Sequence, residues 1–339
     1  MEEKIPIPNS NLTWSLKNKT LTISGTGAMP DYIAYYLYPW RGFTAKTVII
    51  EEGVTTIGLN AFGFANMTRV HIPNSVTKIG ADAFAFCPDL TSIYIPSSVT
   101  EIGADAFFCC RSLTKFTVKT GNVSYKAIDG VLFAINQDTL TLIKYPCAKS
   151  AAPYSIPNTV TTIIKGAFSD CEDLKGINIP NSVTTIGDYA FQKCTGLKNV
   201  RIPNSVTTIG NYVFFDCSNL KRIHIPNSVT TIGNCAFFDC SSLKRIHIPN
   251  SVVAIGDGAF NNCKMLSSIS ISAIKPPVLD KSTFSVKLYT LRILVRVPHQ
   301  SVEAYKTAKV WSKFKKIVGC DDFKEEAPLS DEDLAYNAY

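Results

Sequence analysis

Ile179-Pro180-Asn181-Ser182-Val183-Thr184-Thr185-Ile186-Gly187-Asp188-Tyr189-Ala190-Phe191, followed by Cys194 and Leu197, is one copy of a phrase that returns from Ile202, Ile225 and Ile248. Phe168, Phe191, Phe214, Phe237 and Phe260 stand 23 residues apart, as do Cys171, Cys194, Cys217, Cys240 and Cys263. Earlier copies centre on Phe62, Phe84 and Phe107, with Cys87 and Cys110 at the cysteine position; the first copy is one residue shorter and has Ala65 there. Repetition at a fixed period in the twenties is the mark of a stacked architecture. Within a copy, Leu197, Val200 and Ile202 make a short strand whose alternate side chains face inward. Pro203-Asn204-Ser205 turns the chain, since proline lacks a ladder donor and Asn and Ser satisfy turn backbone locally. Val206 to Ile209 runs back along the outer face, Gly210 is read as a tight corner, and Val213-Phe214 turns inward. One copy cannot bury its apolar face alone, so copies stack.

The period with Leu-x-x-Ile-x-Ile predicts a leucine-rich-repeat solenoid: β-rich, with 23-residue repeats and a curved parallel sheet. Residues 1–47 lack the repeat and are read as an N-terminal β cap. There Leu12–Leu16 and Thr20–Ser24 flank Lys17-Asn18-Lys19 as a hairpin, and Trp14 and Trp40 are expected to cover the first repeat. Repeats occupy 48–283. The gap from Phe107 to Phe168 is 61, one period plus 38, which places an insertion at about 119–154, with Val131–Ile135 and Leu140–Ile143 as a hairpin. A structural elaboration and a binding protrusion both fit it. Residues 284–320 read as a C-terminal cap: Phe284 in a degenerate ninth phase, a strand over Leu291–Val295 and a helix over Ser301–Phe314. Residues 321–339 form an acidic tail.

The wording of the repeat resembles the BspA-like, Treponema-type leucine-rich repeat family. Leu21-Thr22-Ile23-Ser24-Gly25-Thr26-Gly27-Ala28-Met29 is similar to its N-terminal segment, and Ser301-Val302-Glu303-Ala304-Tyr305-Lys306 with Trp311 to its C-terminal cap. The resemblance covers nearly all of 12–320. It implies a cell-surface or secreted protein of host-associated bacteria, and for some members adhesion to matrix proteins or other bacteria. It implies no shared catalytic residues. The acidic tail departs from the family pattern.

Composition describes a basic folded body with an acidic tail and names no activity. Hydrophobic residues are 46% of the 339 and charged residues only 18%, which excludes a disordered chain. No apolar run reaches 18 residues, so no membrane span is expected. No basic segment followed by an apolar one opens at Met1, so the chain is read as cytosolic or as a mature secreted form. The net charge of +7 is uneven: 321–339 holds seven acids and one base, a balance of −6, leaving +13 on 1–320. Motifs for hydrolysis, zinc proteolysis and phosphate loops are missing, and only four His occur: His71, His224, His247 and His299. The expectation is no enzyme, no cofactor and no metal. Of 11 Cys, Cys87, Cys110, Cys171, Cys194, Cys217, Cys240 and Cys263 form a ladder. Parallel repeats point every Cβ the same way, which disfavours bridging; the thiols are read as buried weak donors to loop carbonyls. Phe84, Phe107, Phe168, Phe191, Phe214, Phe237 and Phe260 are read as the core spine.

In Leu-x-x-Ile-x-Ile the third and fifth residues point away from the core. The third column reads Arg69, Ser92, Lys115, Gly176, Asn199, Arg222, Arg245, Ser268; the fifth reads His71, Tyr94, Thr117, Asn178, Arg201, His224, His247, Ser270. Arg201, Arg222, His224, Arg245 and His247 therefore gather over three adjacent strands, flanked by Lys198, Lys221 and Lys244. Like charges on neighbouring strands repel, and an anion relieves them. Arg offers bidentate geometry to carboxylate or sulfate. The expected partner is an extracellular or matrix protein or an anionic glycan; nucleic acid is not expected, because interleaved aromatics are lacking apart from Tyr94. Against this stands plain duplication, since 221–225 and 244–248 both read Lys-Arg-Ile-His-Ile. That leaves a second reading, a structural spacer presenting other elements. In a third, the acidic tail screens the basic body.

Overall fold

The computed structural model describes residues 3–33, 37–42, 44–149, 152–280, 282–284, 293–321 and 323. It divides into two compact units, Met1–Lys149 and Ser150–Tyr339; the division falls inside the 119–154 insertion.

The first unit opens with a hairpin, Leu12–Lys17 against Thr20–Gly25, in register from Leu12↔Gly25 to Lys17↔Thr20. Its turn residues Asn18 and Lys19 have φ of 50° and 61°, the left-handed pair that a two-residue hairpin requires. Ile5–Pro6 adds antiparallel to the outer side. From Thr20–Gly25 the sheet becomes parallel, through Thr47–Ile50 to Arg69–His71, and Ser92–Ile95 pairs with Lys115–Val118 in the same sense. A second parallel sheet joins Gly27–Ala28, Val54–Ile57, Lys78–Ile79 and Glu101–Ile102. Between the sheets Phe62, Phe84 and Phe107 stack with centroids 5.6 and 5.8 Å apart. Trp40 closes this stack on Phe62 at 5.5 Å, and its indole N–H donates to the Ala61 carbonyl at 3.0 Å. Trp14 is buried in the same core. The insertion is larger than the hairpin expected: Tyr125–Ile128 joins Val131–Asn136 and Thr139–Lys144 to make a three-stranded antiparallel meander.

The second unit repeats one coil design. A strand carries the third to fifth positions of Leu-x-x-Ile-x-Ile in Asn199–Arg201 and Arg222–His224, and the third to sixth in Arg245–Ile248 and Ser268–Ile271. The outer run supplies two-residue strands, Thr208–Ile209, Thr231–Ile232, Ala254–Ile255 and Val278–Leu279, paired in parallel as one sheet. The Ser of Pro-Asn-Ser ties coil to coil: Ser228 Oγ donates to Val206 O at 2.6 Å and Ser251 Oγ to Val229 O at 2.7 Å. The corner glycines answer a different need from the one inferred. Gly210 and Gly233 do not have positive φ; a Cβ on Gly233 would stand 2.6 Å from the Gly210 carbonyl carbon and oxygen. Backbone approaches backbone there, and only hydrogen fits.

Phe168, Phe191, Phe214, Phe237, Phe260 and Phe284 are buried and stack at 4.9, 5.4, 5.5, 5.3 and 5.5 Å. Four repeat thiols reach back to the phenylalanine carbonyl of the coil before: Cys194 to Phe168, Cys217 to Phe191 and Cys263 to Phe237, all at 3.1 Å, and Cys240 to Phe214 at 3.2 Å. In the first unit Cys87 meets Phe62 O and Cys110 meets Phe84 O in the same way. None of the eleven cysteines is joined in a disulfide.

At the C-terminal end Leu294–Val297 and Lys316–Gly319 extend the sheet in parallel beyond Ser268–Ile271. Leu291 and Arg292, with which the expected strand began, lie outside the described residues. The helix expected over Ser301–Phe314 is only Val302–Thr307, flanked by 3-10 turns at His299–Ser301 and Trp311–Lys313. Two docked aromatics explain the break. Tyr305 OH donates to Ala273 O at 2.9 Å and the Trp311 indole N–H to Pro277 O at 2.8 Å. The chain reaches the second anchor through extended backbone at Ala308.

Candidate functional site

The strand face of the second unit carries every residue singled out as a candidate ligand contact. Asn199 sits opposite Arg222, Val200 opposite Ile223 and Arg201 opposite His224. Arg245 pairs with Ser268 and His247 with Ser270. Ile223 and Ile246 point into the core, while Arg201, Arg222 and Arg245 are exposed and His224 and His247 are half-buried. This is the alternation of a strand with one buried face. Lys221 and Lys244 are exposed beside the arginines, and Lys198 is half-buried.

The structure sorts these cations into two places. Lys221, Arg222, Lys244 and Arg245 together line one surface depression. Arg201 lines another, with Asn158, Asn178, Asn181 and Ser182. Arg201 is in the fifth column and Arg222 in the third, so the two lie diagonally across the sheet rather than side by side. Among the described residues, no carboxylate lies within ion-pair distance of Lys198, Arg201, Lys221, Arg222 or Lys244. The depression with four cations is a site of concentrated positive potential with planar, bidentate donors.

His247 is held by hydroxyls: Nδ1 lies 3.0 Å from Ser270 Oγ and Nε2 3.3 Å from Ser272 Oγ. A hydroxyl serves as donor or acceptor, so this clamp accommodates the neutral and the protonated ring alike. Two neighbours of the face escaped the sequence reading. Arg296 continues the fifth column opposite Ser270, and its guanidinium donates to Ser268 Oγ; the alternation in Ile293-Leu294-Val295-Arg296-Val297 is the signal that marks it. The ring of Phe323 lies 6.2 Å from that of His247, and no pattern in the sequence announces that contact.

Among the described residues, no group of three or more His, Cys, Asp or Glu is arranged to hold a metal ion. Within the same residues, no helix is long and apolar enough to cross a membrane.

Comparison with known proteins places this geometry. The model of the BspA type leucine rich repeat region matches in six copies over residues 38–134, 145–267 and 217–307. No curated protein matches the chain. Several solved structures are similar to it. A leucine rich cell surface protein from Faecalibacterium prausnitzii A2-165 is 26% identical, over 80% of this chain and 96% of that one, with a TM-score of 0.63. The pneumococcal vaccine antigen PcpA is 18% identical, over 95% and 99%, with a TM-score of 0.64. A leucine-rich repeat protein from Bacteroides ovatus ATCC 8483 is 23% identical, over 94% and 77%, with a TM-score of 0.55. The stacked coils, their phenylalanine spine and the matched residues agree: the chain belongs to the BspA-type leucine-rich repeat family.

Proposed function

We propose that this is a non-enzymatic binding protein of the cell surface or the secreted space, engaging an anionic protein or glycan on the strand face of its second unit. The observation that carries the reading is the depression lined by Lys221, Arg222, Lys244 and Arg245. Four cations on consecutive coils repel one another, and a partner bearing carboxylates or sulfates turns that repulsion into attraction. Arg201, His224 and His247 extend the face along the strands, so an extended partner engages several coils at once. The location draws support from the similar cell surface protein of Faecalibacterium prausnitzii.

The test is binding of the full chain to an array of sulfated glycans and matrix proteins at two salt concentrations. A hit that weakens with salt, and falls at least tenfold in the Arg201→Ser, Arg222→Ser, Arg245→Ser variant, supports the face as the site. A hit indifferent to those three residues returns the weight to the spacer reading, which the duplicated Lys-Arg-Ile-His-Ile favours.

A further inference from the structure

The depression that Arg201 lines differs in chemistry from the one lined by four cations. Its volume is about 440 Å³, within the range of about 300 to 1,000 Å³ of small-molecule sites. Asn158 and Asn181 enter it from successive Pro-Asn turns, 23 residues apart. Asn178 and Arg201 enter it from successive strands, also 23 apart. Three consecutive coils contribute, so the frame extends about 10 Å along the stack. Pro180 and Pro203, again one period apart, line the same depression; Pro203 is buried and Pro180 half-buried. The result is a shallow site with apolar rings on its wall and amides and one guanidinium around it.

Asn158, Asn178, Asn181 and Arg201 are all exposed. Among the described residues, none of these four side chains is engaged in a hydrogen bond or an ion pair within the chain. The amides of Asn122, Asn211 and Asn262, by contrast, are bonded to neighbouring coils. Duplication does not account for the set. The turn asparagine is common to many coils, but the strand residues are not copies: 175–179 reads Lys-Gly-Ile-Asn-Ile and 198–202 Lys-Asn-Val-Arg-Ile, against Lys-Arg-Ile-His-Ile in the two coils that follow.

An amide offers an acceptor oxygen and two donor hydrogens, so three amides match a ligand that both donates and accepts. Sulfate and phosphate groups accept only, and would leave the amide oxygens unmatched; hydroxyls do both. A single guanidinium pairs with a single carboxylate through two parallel hydrogen bonds. Four cations call for several negative charges, whereas this depression calls for one charge set among hydroxyls. We propose that it is a subsite for a sugar acid, a pyranose carrying one carboxylate. Arg201 takes the carboxylate, Asn158, Asn178 and Asn181 take the hydroxyls, and the rings of Pro180 and Pro203 meet the C–H groups of the sugar. The inference deepens the function proposed above, and rests on its reading of the strand face as a binding surface.

The full chain is titrated with the methyl glycosides of glucuronic, galacturonic and N-acetylneuraminic acids, and binding is followed by saturation-transfer NMR. At least one acid is expected to bind, and at least tenfold more tightly than its methyl ester, which lacks the charge. Arg201→Ala should weaken that binding at least tenfold and Asn178→Ala at least threefold. Arg201→Lys, which keeps the charge and loses the planar fork, should recover only part of the loss. Arg222→Ser with Arg245→Ser should leave it within about twofold, since those side chains line the other depression. No binding of any of the three acids at about 20 mM, equal binding of acid and ester, or a loss in the Arg222, Arg245 pair as large as that in Arg201→Ala overturns the proposal. A sugar acid held through Arg201 while the array of sulfated glycans and matrix proteins stays silent leaves the subsite standing and removes the partner assigned to the four cations. An array hit dependent on Arg222 and Arg245, with all three sugar acids silent, does the reverse.

Discussion

The coils of Phe62 through Phe260 each bend at two residues with left-handed backbone, two positions before and two after the core phenylalanine. Around Phe214 these are Tyr212 and Asp216, with φ of 57° and 56°. Their N–H groups donate to the next coil, Tyr212 to Asn234 O at 2.8 Å and Asp216 to Phe238 O at 2.7 Å. Stacking dictates that orientation, and the side chain has to accept it. Asn60, Asp82, Asp105, Asp239 and Asn262 are residue types that tolerate the region. Tyr189 and Tyr212 are not, and their rings recover some of the cost by stacking at 4.7 Å. Lys193, with φ 55°, has no ring to stack. Its N–H is fixed on Phe215 O at 2.8 Å, so the left-handed conformation is obligatory. A non-glycine residue there costs about 1 to 2 kcal/mol. Lys193→Gly should therefore stabilise the chain by roughly 1 kcal/mol, seen as a higher denaturant midpoint at unchanged slope. A lower midpoint would show that the lysine side chain contributes more than its backbone loses. The Asp and Asn positions hinted at these corners in the sequence. Tyr and Lys concealed them, because the constraint comes from the next coil and not from local preference.

At the scale of the coil, period and alternation carried most of the information. The strand column, the outer run, the phenylalanine spine and the N-terminal hairpin follow from spacing alone, because a strand with one buried face must alternate. Three features did not follow. Tyr125–Ile128 is a strand only because the Val131–Asn136 hairpin offers it an edge. The C-terminal helix stops after Thr307 because two aromatics must reach the carbonyls of Ala273 and Pro277. Apolar spacing does not encode either partner. The corner glycine was recognised as necessary for the wrong cause, and the true one is testable. In Gly233→Ala the new methyl would sit 2.6 Å from the backbone of Gly210, so one coil must move off the other. A loss of about 1 to 3 kcal/mol is expected, with no relief from variants that only ease turn geometry. An alanine tolerated within about 0.3 kcal/mol would mean that the coils slide freely, contrary to the ladder between them.

For the molecule as a whole, the core is rich in groups that lose a proton in alkali. Burial pushes the thiols of Cys110 and Cys263 up to about 12 and raises those of Cys87, Cys217 and Cys240 as well. It also lifts the Tyr32 hydroxyl to about 12 and raises that of Tyr305. The same burial that makes the ladder inert as a nucleophile makes it a liability at high pH. Unfolded, these thiols ionise near 9 and the phenols near 10. Above that range the unfolded chain has released protons that the folded chain retains, so stability falls with rising pH. The contribution is complete below about pH 9 and is withdrawn as pH climbs toward 12, by up to about 1.4 kcal/mol per pH unit for each such group. The melting temperature should accordingly hold steady from about pH 7 to 8.5 and then drop steeply between about 9.5 and 11. Cys217→Ala with Cys240→Ala should lower the plateau, because two buried side chains shrink, yet flatten the alkaline slope, because two of the ionising groups are gone. A slope unchanged by that pair would assign the alkaline loss to the phenols or to the surface. A melting temperature level through about pH 11 would mean that the coils open locally enough to ionise the thiols without unfolding. That behaviour is available to a stack of semi-independent repeats but not to a core that melts as one.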